Sequence, residues 1–325
     1  MQIRTTIVIP CIRVEVLTKR CVSTCAHLYP GADIVVLADV GDGAELVRSM
    51  AQVVITGPVT IAAKRNRAAY DSKAEFLAFI DSDAYPVEGW LENAERLLDE
   101  QPELGAVGGP NLPPPNTRGG ERYVGMALRS ILVSGKWTYR KLVRPARMVD
   151  DLPSCNLVVR RQDFLALGGM NEVLFTGEDM DWCARLRSSG RAILYSPDVQ
   201  VYHKNRNMLS FVLQRLTYGA SVPGLLRQGL RLNFLLLAAP AIFLLFILTL
   251  PLALAWMPWM VLYISVLAAY ALLVIVEACR HSDAVADVPG ILVALLVGNL
   301  APGIGTIAQT LRVMPNRRKI YRNDL

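Results

Sequence analysis

Phe76-Leu77-Ala78-Phe79-Ile80-Asp81-Ser82-Asp83 runs from five apolar residues straight into two carboxylates one residue apart. A short, continuous apolar run suits a parallel strand covered on both faces, and in an open α/β sheet ligands gather beyond the carboxyl ends of such strands. Asp81 and Asp83 therefore belong at a site. In a dry pocket their like charges would raise each other's pKa unless a cation intervened. A hard divalent ion is the natural one, since Mg2+ or Mn2+ needs only one or two protein carboxylates when phosphate oxygens supply the rest. The alternative is a solvated Asp-Ser-Asp turn before a break at Tyr85-Pro86.

Upstream of this stretch, Thr6-Ile7-Val8-Ile9-Pro10 reads as a strand, Glu15 to Leu28 as a helix and Asp33-Ile34-Val35-Val36-Leu37 as a second strand ending at Asp39. This β-α-β unit favours a parallel sheet. Val53-Val54-Ile55 predicts a third strand, and a helix over Ala62 to Lys73 carries Lys64-Arg65-Asn66-Arg67. Downstream, Trp90, Leu91, Ala94, Leu97 and Leu98 recur at helical spacing. Leu104 to Val107 is a strand running into Gly108-Gly109, where missing side chains allow a ligand's close approach or simply a tight turn. Residues 110–120 read as an irregular loop able to gate a site. Cys155 to Arg160 predicts a strand, Arg161 opens a helix, and Gly177-Glu178-Asp179 opens another in which Trp182 and Leu186 point inward. Negative charge at that helix start is favoured by the dipole, so capping alone could explain Glu178 and Asp179. Ile193 to Tyr195 and Val199 to Tyr202 are late strands, closed by His203.

The 325 residues are 53% hydrophobic, high for a wholly soluble chain, and the excess is concentrated near the C-terminus. Leu232–Trp256 and Trp259–Cys279 are almost uncharged and predict a transmembrane hairpin turning at Met257-Pro258. The stretch 288–311 is either a third span or a re-entrant segment broken near Pro302. The second reading is favoured because it keeps Arg317-Arg318-Lys319 on the inner side. The N-terminal apolar core is too short for a signal peptide, so residues 1–230 are expected in the cytosol and 231–325 in the membrane, with interface helices over about 207–230. The net charge of +6 comes from clusters flanking the apolar spans rather than from one basic run interleaved with aromatics, which argues for membrane lipids and against nucleic acid. Six cysteines show no paired zinc spacing, and a cytosolic address disfavours disulfides. Cys21 and Cys25, one helical turn apart, read as core packing. A transporter is excluded on physical grounds, because Glu277 is the one carboxylate within the apolar spans and no polar path crosses them. Pro302-Gly303-Ile304-Gly305 resembles part of a dinucleotide fingerprint but lies in an apolar segment and is discounted.

Taken in order, Thr6-Ile7-Val8-Ile9-Pro10, Asp39, Arg65-Asn66, Asp81-Ser82-Asp83, Gly108-Gly109, Asn156, Gly168-Gly169, Gly177-Glu178-Asp179-Met180-Asp181 and Tyr202-His203 resemble the family 2 glycosyltransferases over residues 5 to about 220. His203 to Gly219 further resembles membrane-attached members that build bacterial surface polysaccharides or other lipid-linked glycans. The resemblance implies an α/β GT-A fold, a Rossmann-like, mostly parallel sheet with helices on both faces, followed by a helical transmembrane region. It implies an inverting transferase at the cytoplasmic membrane, its catalytic domain facing the cytosol.

By motif position, Pro10, Arg13, Asp39, Arg65, Asn66, Asp81, Ser82, Gly108 and Gly109 would line the donor pocket, although Asn66 could instead be a helix cap. Asp83, Asp81 and His203 would hold Mg2+ or Mn2+ against the diphosphate of a nucleotide-sugar, a UDP-sugar by family habit. Asp179 would be the base, with Glu178 in reserve. Asn156, Trp182, Arg206 and Arg215, with Arg227 and Arg231, would face a lipid-linked acceptor or its phosphate. Cys11-Ile12-Arg13 and Asp39-Val40-Gly41-Asp42-Gly43 depart from the family pattern, which leaves base and sugar open. Transfer onto bare polyprenyl phosphate, or a non-catalytic scaffold that binds nucleotide-sugar, are the alternatives.

Overall fold

The computed structural model describes residues 4–174, 177–227 and 232–313. Strand and helix alternate from the start: β1 (Thr5–Cys11), α1 (Val16–Leu28), β2 (Asp33–Ala38), β3 (Gln52–Ile55), α2 (Ile61–Asp71), β4 (Phe76–Ile80), β5 (Ala84–Pro86), α3 (Trp90–Glu100), β6 (Leu104–Gly108) and β7 (Asn111–Leu112). Next come α4 (Gly119–Ala127), α5 (Ile131–Ser134), β8 (Arg147–Met148), β9 (Asn156–Arg160), α6 (Arg161–Ala166), α7 (Glu178–Ser188), β10 (Ala192–Tyr195) and β11 (Val201–His203). The described residues that follow form helices: α8 (Met208–Arg227), α9 (Leu232–Ile247), α10 (Leu250–Ala255), α11 (Met257–His281) and α12 (Val288–Thr310).

The chain divides into two compact units, one of residues up to Pro115 with Tyr139–Lys204, the other of Asn116–Thr138 with the chain from Asn205 onward. In the first unit the described residues form an eight-stranded sheet in the order β3-β2-β1-β4-β9-β6-β10-β8. β1, β2, β3 and β4 are mutually parallel, and β6 is parallel to β10. β9 runs against both β4 and β6. The apolar run that opened the sequence reading is central and wholly buried. Its Ala78 and the neighbouring-strand residues Ile7, Ile9, Val36, Val107 and Val158 share one core with Trp90, Ala94 and Leu98 of α3, whose apolar spacing faces the sheet as predicted.

Three local expectations are corrected. Tyr85-Pro86 is no break: Ala84–Pro86 forms an edge strand of a small sheet, β5-β11-β7, where proline is tolerated. The loop expected over 110–120 contains β7 and ends in the first turn of α4. The cap of α2 is Thr60, whose hydroxyl accepts from the Ala63 N–H, while Asn66 lies inside the helix.

In the second unit, Val124, Ala127, Phe211, Val274, Ala278, Ile291 and Leu295 form the core. Two of its helices, Met257–His281 and Val285–Thr310, are long and apolar enough to cross a membrane, and Leu237–Ile247 is a shorter apolar helix. The expected first span is interrupted at 248–249, and Pro258 sits in the first helical turn of α11, where its missing N–H costs nothing, rather than in the hairpin turn. α12 is not broken at Pro302. Close packing holds it: a Cβ on Gly219 of α8 would sit 1.8 Å from the Pro302 carbonyl oxygen, and one on Gly305 2.0 Å from that of Leu216. Thr306 Oγ1 bonds the carbonyls of Gly219 and Pro302, both at 2.9 Å. The Gly303 and Gly305 pattern is thus helix–helix packing. Arg231 and Arg317-Arg318-Lys319 lie outside the described residues, as does the side chain of Arg227.

Candidate active site

At the end of β4, a turn closed by the Ala84 N–H donating to the Asp81 carbonyl at 3.0 Å carries the chain into β5. β5 pairs with β11 so that Ala84 lies opposite His203, and this small sheet brings the late histidine to the two carboxylates. His203 Nε2 is 3.1 Å from Asp83 Oδ1 and 4.0 Å from Asp81 Oδ2. Cys155 joins them from the start of β9. Its Sγ and ligand atoms of Asp81 and His203 all lie within 4.8 Å of one another. Two carboxylates and an imidazole are donors that suit a divalent cation, so the residues fit the expected ion. Burial, and then the Asp81 charge, push the Cys155 thiol well above its ordinary range, with Lys141 opposing. Burial lowers the Lys141 ammonium, while Cys155 and Asp83 favour its charge.

Arg65 ties the carboxylates of two motifs together. It is 2% exposed, and its guanidinium donates to Asp81 Oδ1 at 2.8 Å and to Glu178 Oε1 at 2.9 Å. Glu178 is the first residue of α7, after Gly177 in the left-handed region at φ +84°. Burial, and then the charge of Asp179, raise the Glu178 carboxyl above the usual range, and Arg65 offsets part of that. Asp179 turns the other way: its Oδ2 accepts from the Ser154 N–H at 3.2 Å and its Oδ1 from the Met180 N–H at 2.8 Å. A second buried cation, Lys64, reaches Asp39 Oδ1 and the Cys11 carbonyl, both at 2.5 Å. It anchors the end of β2 to the end of β1.

Several expected site residues are occupied by the fold itself. The Asn66 amide donates to the Met170 carbonyl and to Glu172 Oε1, and accepts from the Met170 N–H. Gly169, at φ +71°, has no room for a side chain, because a Cβ would sit 2.4 Å from Asn66 Oδ1. Gly108 and Gly109 admit backbone of this chain rather than forming a tight turn. A Cβ on Gly108 would lie 2.3 Å from the Asn156 carbonyl, and one on Gly109 2.2 Å from those of Ser196 and Val199. Asn156 is wholly buried, accepting from Trp90 Nε1 at 2.7 Å and donating to the Val199 carbonyl at 2.8 Å. Trp182 is also wholly buried, its ring 5.4 Å from that of Phe164. Neither can touch an acceptor in this conformation.

Pro10 is buried in β1, Ser82 is half-buried in the Asp-Ser-Asp turn, and Arg13 is exposed and pairs with Glu15 at 2.6 Å. Arg206 and Arg215 belong to the second unit. Arg206 is exposed, whereas the Arg215 guanidinium lies 5.0 Å from the Phe211 ring centre and burial pushes it down to about 10.

Cys155, Lys141 and Lys64 were not singled out for the site from sequence. The signal for Cys155 lay in strand direction. Because β9 is antiparallel to β4 with Asn156 opposite Ile80, the residue before β9 falls beside Asp81.

Among curated proteins, the pre-mycofactocin glycosyltransferases of two Mycobacterium tuberculosis strains (CDC 1551 / Oshkosh and ATCC 25618 / H37Rv) are 33% identical over 165 residues, 49% of this chain. The chain aligns with 33% of the length of those relatives. A crystal structure of GalNAc-T7 with UDP, GalNAc and Mn2+ matches with a TM-score of 0.49 and 15% identity, over 63% of this chain and 44% of that one. The profile described as glycosyl transferase family group 2 matches residues 76–276, from the strand that bears Asp81 and Asp83 into α11. With well over half of its length matched, the chain belongs to glycosyl transferase family group 2.

Proposed function

We propose that this protein is an inverting, metal-dependent glycosyltransferase that moves a sugar from a nucleotide-sugar, by expectation a UDP-sugar, to a lipid-linked polyprenyl diphosphate glycan. The observation that carries the reading is the meeting of Asp81, Asp83 and His203 at the end of β4, with Arg65 linking Asp81 to Glu178. Asp81, Asp83 and His203 would hold the Mg2+ or Mn2+, whose chemistry is to neutralise the departing diphosphate. Arg65 fixes the Asp81 carboxylate for that task and holds Glu178 to the same guanidinium.

Asp179 is the base of the proposal. As the acceptor hydroxyl oxygen bonds to the anomeric carbon and the bond from that carbon to the diphosphate breaks, Asp179 takes the hydroxyl proton. Its two backbone N–H donors hold the carboxylate in one orientation for that transfer. Arg13 and Asp39, at the carboxyl ends of β1 and β2, remain the candidates for the nucleoside, with Lys64 holding Asp39 in place.

The second unit supports the proposal of a lipid-linked acceptor. α11 exposes Val261, Ile264, Leu272, Leu273, Ile275 and Val276, a surface suited to lipid rather than water. A cytosolic catalytic domain held at an inner membrane would meet its acceptor at the headgroup plane, where Arg206 and Arg215 are candidates for the acceptor's phosphate. An acceptor assay with polyprenyl phosphate and with glycosylated polyprenyl diphosphates tests this, glycosylated diphosphates being the expected substrates. Transfer to bare phosphate alone would move the protein to that other class, and donor hydrolysis unaffected by Asp83→Ala would overturn the metal site.

A further inference from the structure

Cys155 has no role in the reading above, yet the fold delivers it to the cation site. In the antiparallel β4–β9 ladder Asn156 lies opposite Ile80, so the preceding residue falls beside Asp81. Its Sγ and donor atoms of Asp81 and His203 lie within 4.8 Å of one another. A buried cysteine is ordinarily a small inert hydrophobe. This one, 7% exposed, is surrounded by the charges of Asp81, Asp83, Asp179 and Lys141.

We infer that Cys155 is a further protein ligand at the proposed cation site, joining Asp81 and His203 in an oxygen–sulfur–nitrogen set that takes Zn2+ in preference to Mg2+. Carboxylate, thiolate and imidazole are the donors of a zinc centre, at bond lengths of about 2.0–2.3 Å. Donors now within 4.8 Å need to close by about an ångström to meet one ion at those lengths. Sulfur selects zinc over ions that prefer oxygen alone. As the metal–sulfur bond forms, the thiol proton passes to solvent, so binding releases one proton for each ion held by Cys155. This inference rests on the proposed cation site and deepens it, because Zn2+ held there occupies the place needed by the ion of the diphosphate. Zinc is then an inhibitor competitive with Mn2+.

The test uses the full chain in detergent, stripped with chelator and titrated with Co2+ as a spectroscopic stand-in for Zn2+. A near-ultraviolet sulfur-to-cobalt absorption band is expected, displaced by Zn2+ and absent from Cys155→Ser and Cys155→Ala. Zn2+ affinity in those variants is expected to fall by about 100-fold, the upper end of what even outer-shell changes cost. Cys279→Ser, which removes the exposed cysteine of the second unit, keeps the band. A band that survives loss of Cys155, or no band in the wild type, overturns the inference. Mn2+-dependent stabilisation by nucleotide, measured on the same preparations, separates the two readings. Its presence without the cobalt band removes Cys155 alone from the site, whereas its absence in the wild type removes the cation site as a whole.

Discussion

Arg65 holds two carboxylates with one buried guanidinium, an arrangement that a lysine, with its single point of charge, cannot reproduce. Arg65→Met leaves Asp81 and Glu178 without their counter-charge, and a loss of about 3–5 kcal/mol in unfolding free energy is expected by chemical denaturation, together with loss of donor binding. Glu178 gives a pH signature. Its carboxyl is raised in the folded protein, so its ionisation is disfavoured there, and the stability it contributes at low pH is lost as pH rises through the folded value. Thermal melts should show wild type losing ground to Glu178→Gln as pH climbs above the ordinary carboxylate range. Parallel curves would contradict the raised carboxyl. At this scale the sequence is legible where a motif marks residues that the fold brings together, as with Asp81, Asp83 and His203. It misleads where a polar residue serves the fold. Nothing local distinguishes Asn156, bonded to Trp90 and Val199, from an asparagine facing a substrate.

The elements show why some of the architecture was legible. Apolar runs of five or six residues and the spacing of Trp90, Leu91, Ala94 and Leu98 define strands and a covering helix by local pattern alone. Strand direction has no such local mark, and the antiparallel β9, which sets both Cys155 and Asn156, became readable only through its register with β4. Two glycine sites test the packing between elements. Gly109→Ala forces a Cβ against the Ser196 and Val199 carbonyls, backbone atoms that cannot rotate away, and should destabilise the first unit by about 1–3 kcal/mol in urea unfolding. Gly219→Ala does the same where α8 meets Pro302 of α12, and should lower the melting temperature of the detergent-solubilised protein. An unchanged melting temperature would mean that the close α8–α12 contact contributes nothing to holding α12 together through its proline.

For the whole molecule, a family 2 glycosyltransferase chain carries an α/β unit in which Asp81, Asp83 and His203 meet, and a second unit with, among the described residues, two helices long and apolar enough to cross a membrane. The proposal expects the protein to sediment with membranes and to stay there after an alkaline carbonate wash, since lipid-buried apolar helices are not released by charge. Release into the supernatant would leave a lipid-linked acceptor without its physical basis. The most direct test of the central claim is the thermal stability of the detergent-solubilised protein with a panel of nucleoside diphosphates, with Mn2+ and with chelator, for wild type and Asp83→Ala. Ligand at a hundred times its dissociation constant adds about 2.7 kcal/mol. The expected result is stabilisation of the wild type by one nucleotide, UDP first among them, that requires Mn2+ and is lost in Asp83→Ala. Stabilisation by no nucleotide, or one indifferent to both Mn2+ and Asp83, would contradict the assignment of this site to a metal-bound nucleotide-sugar.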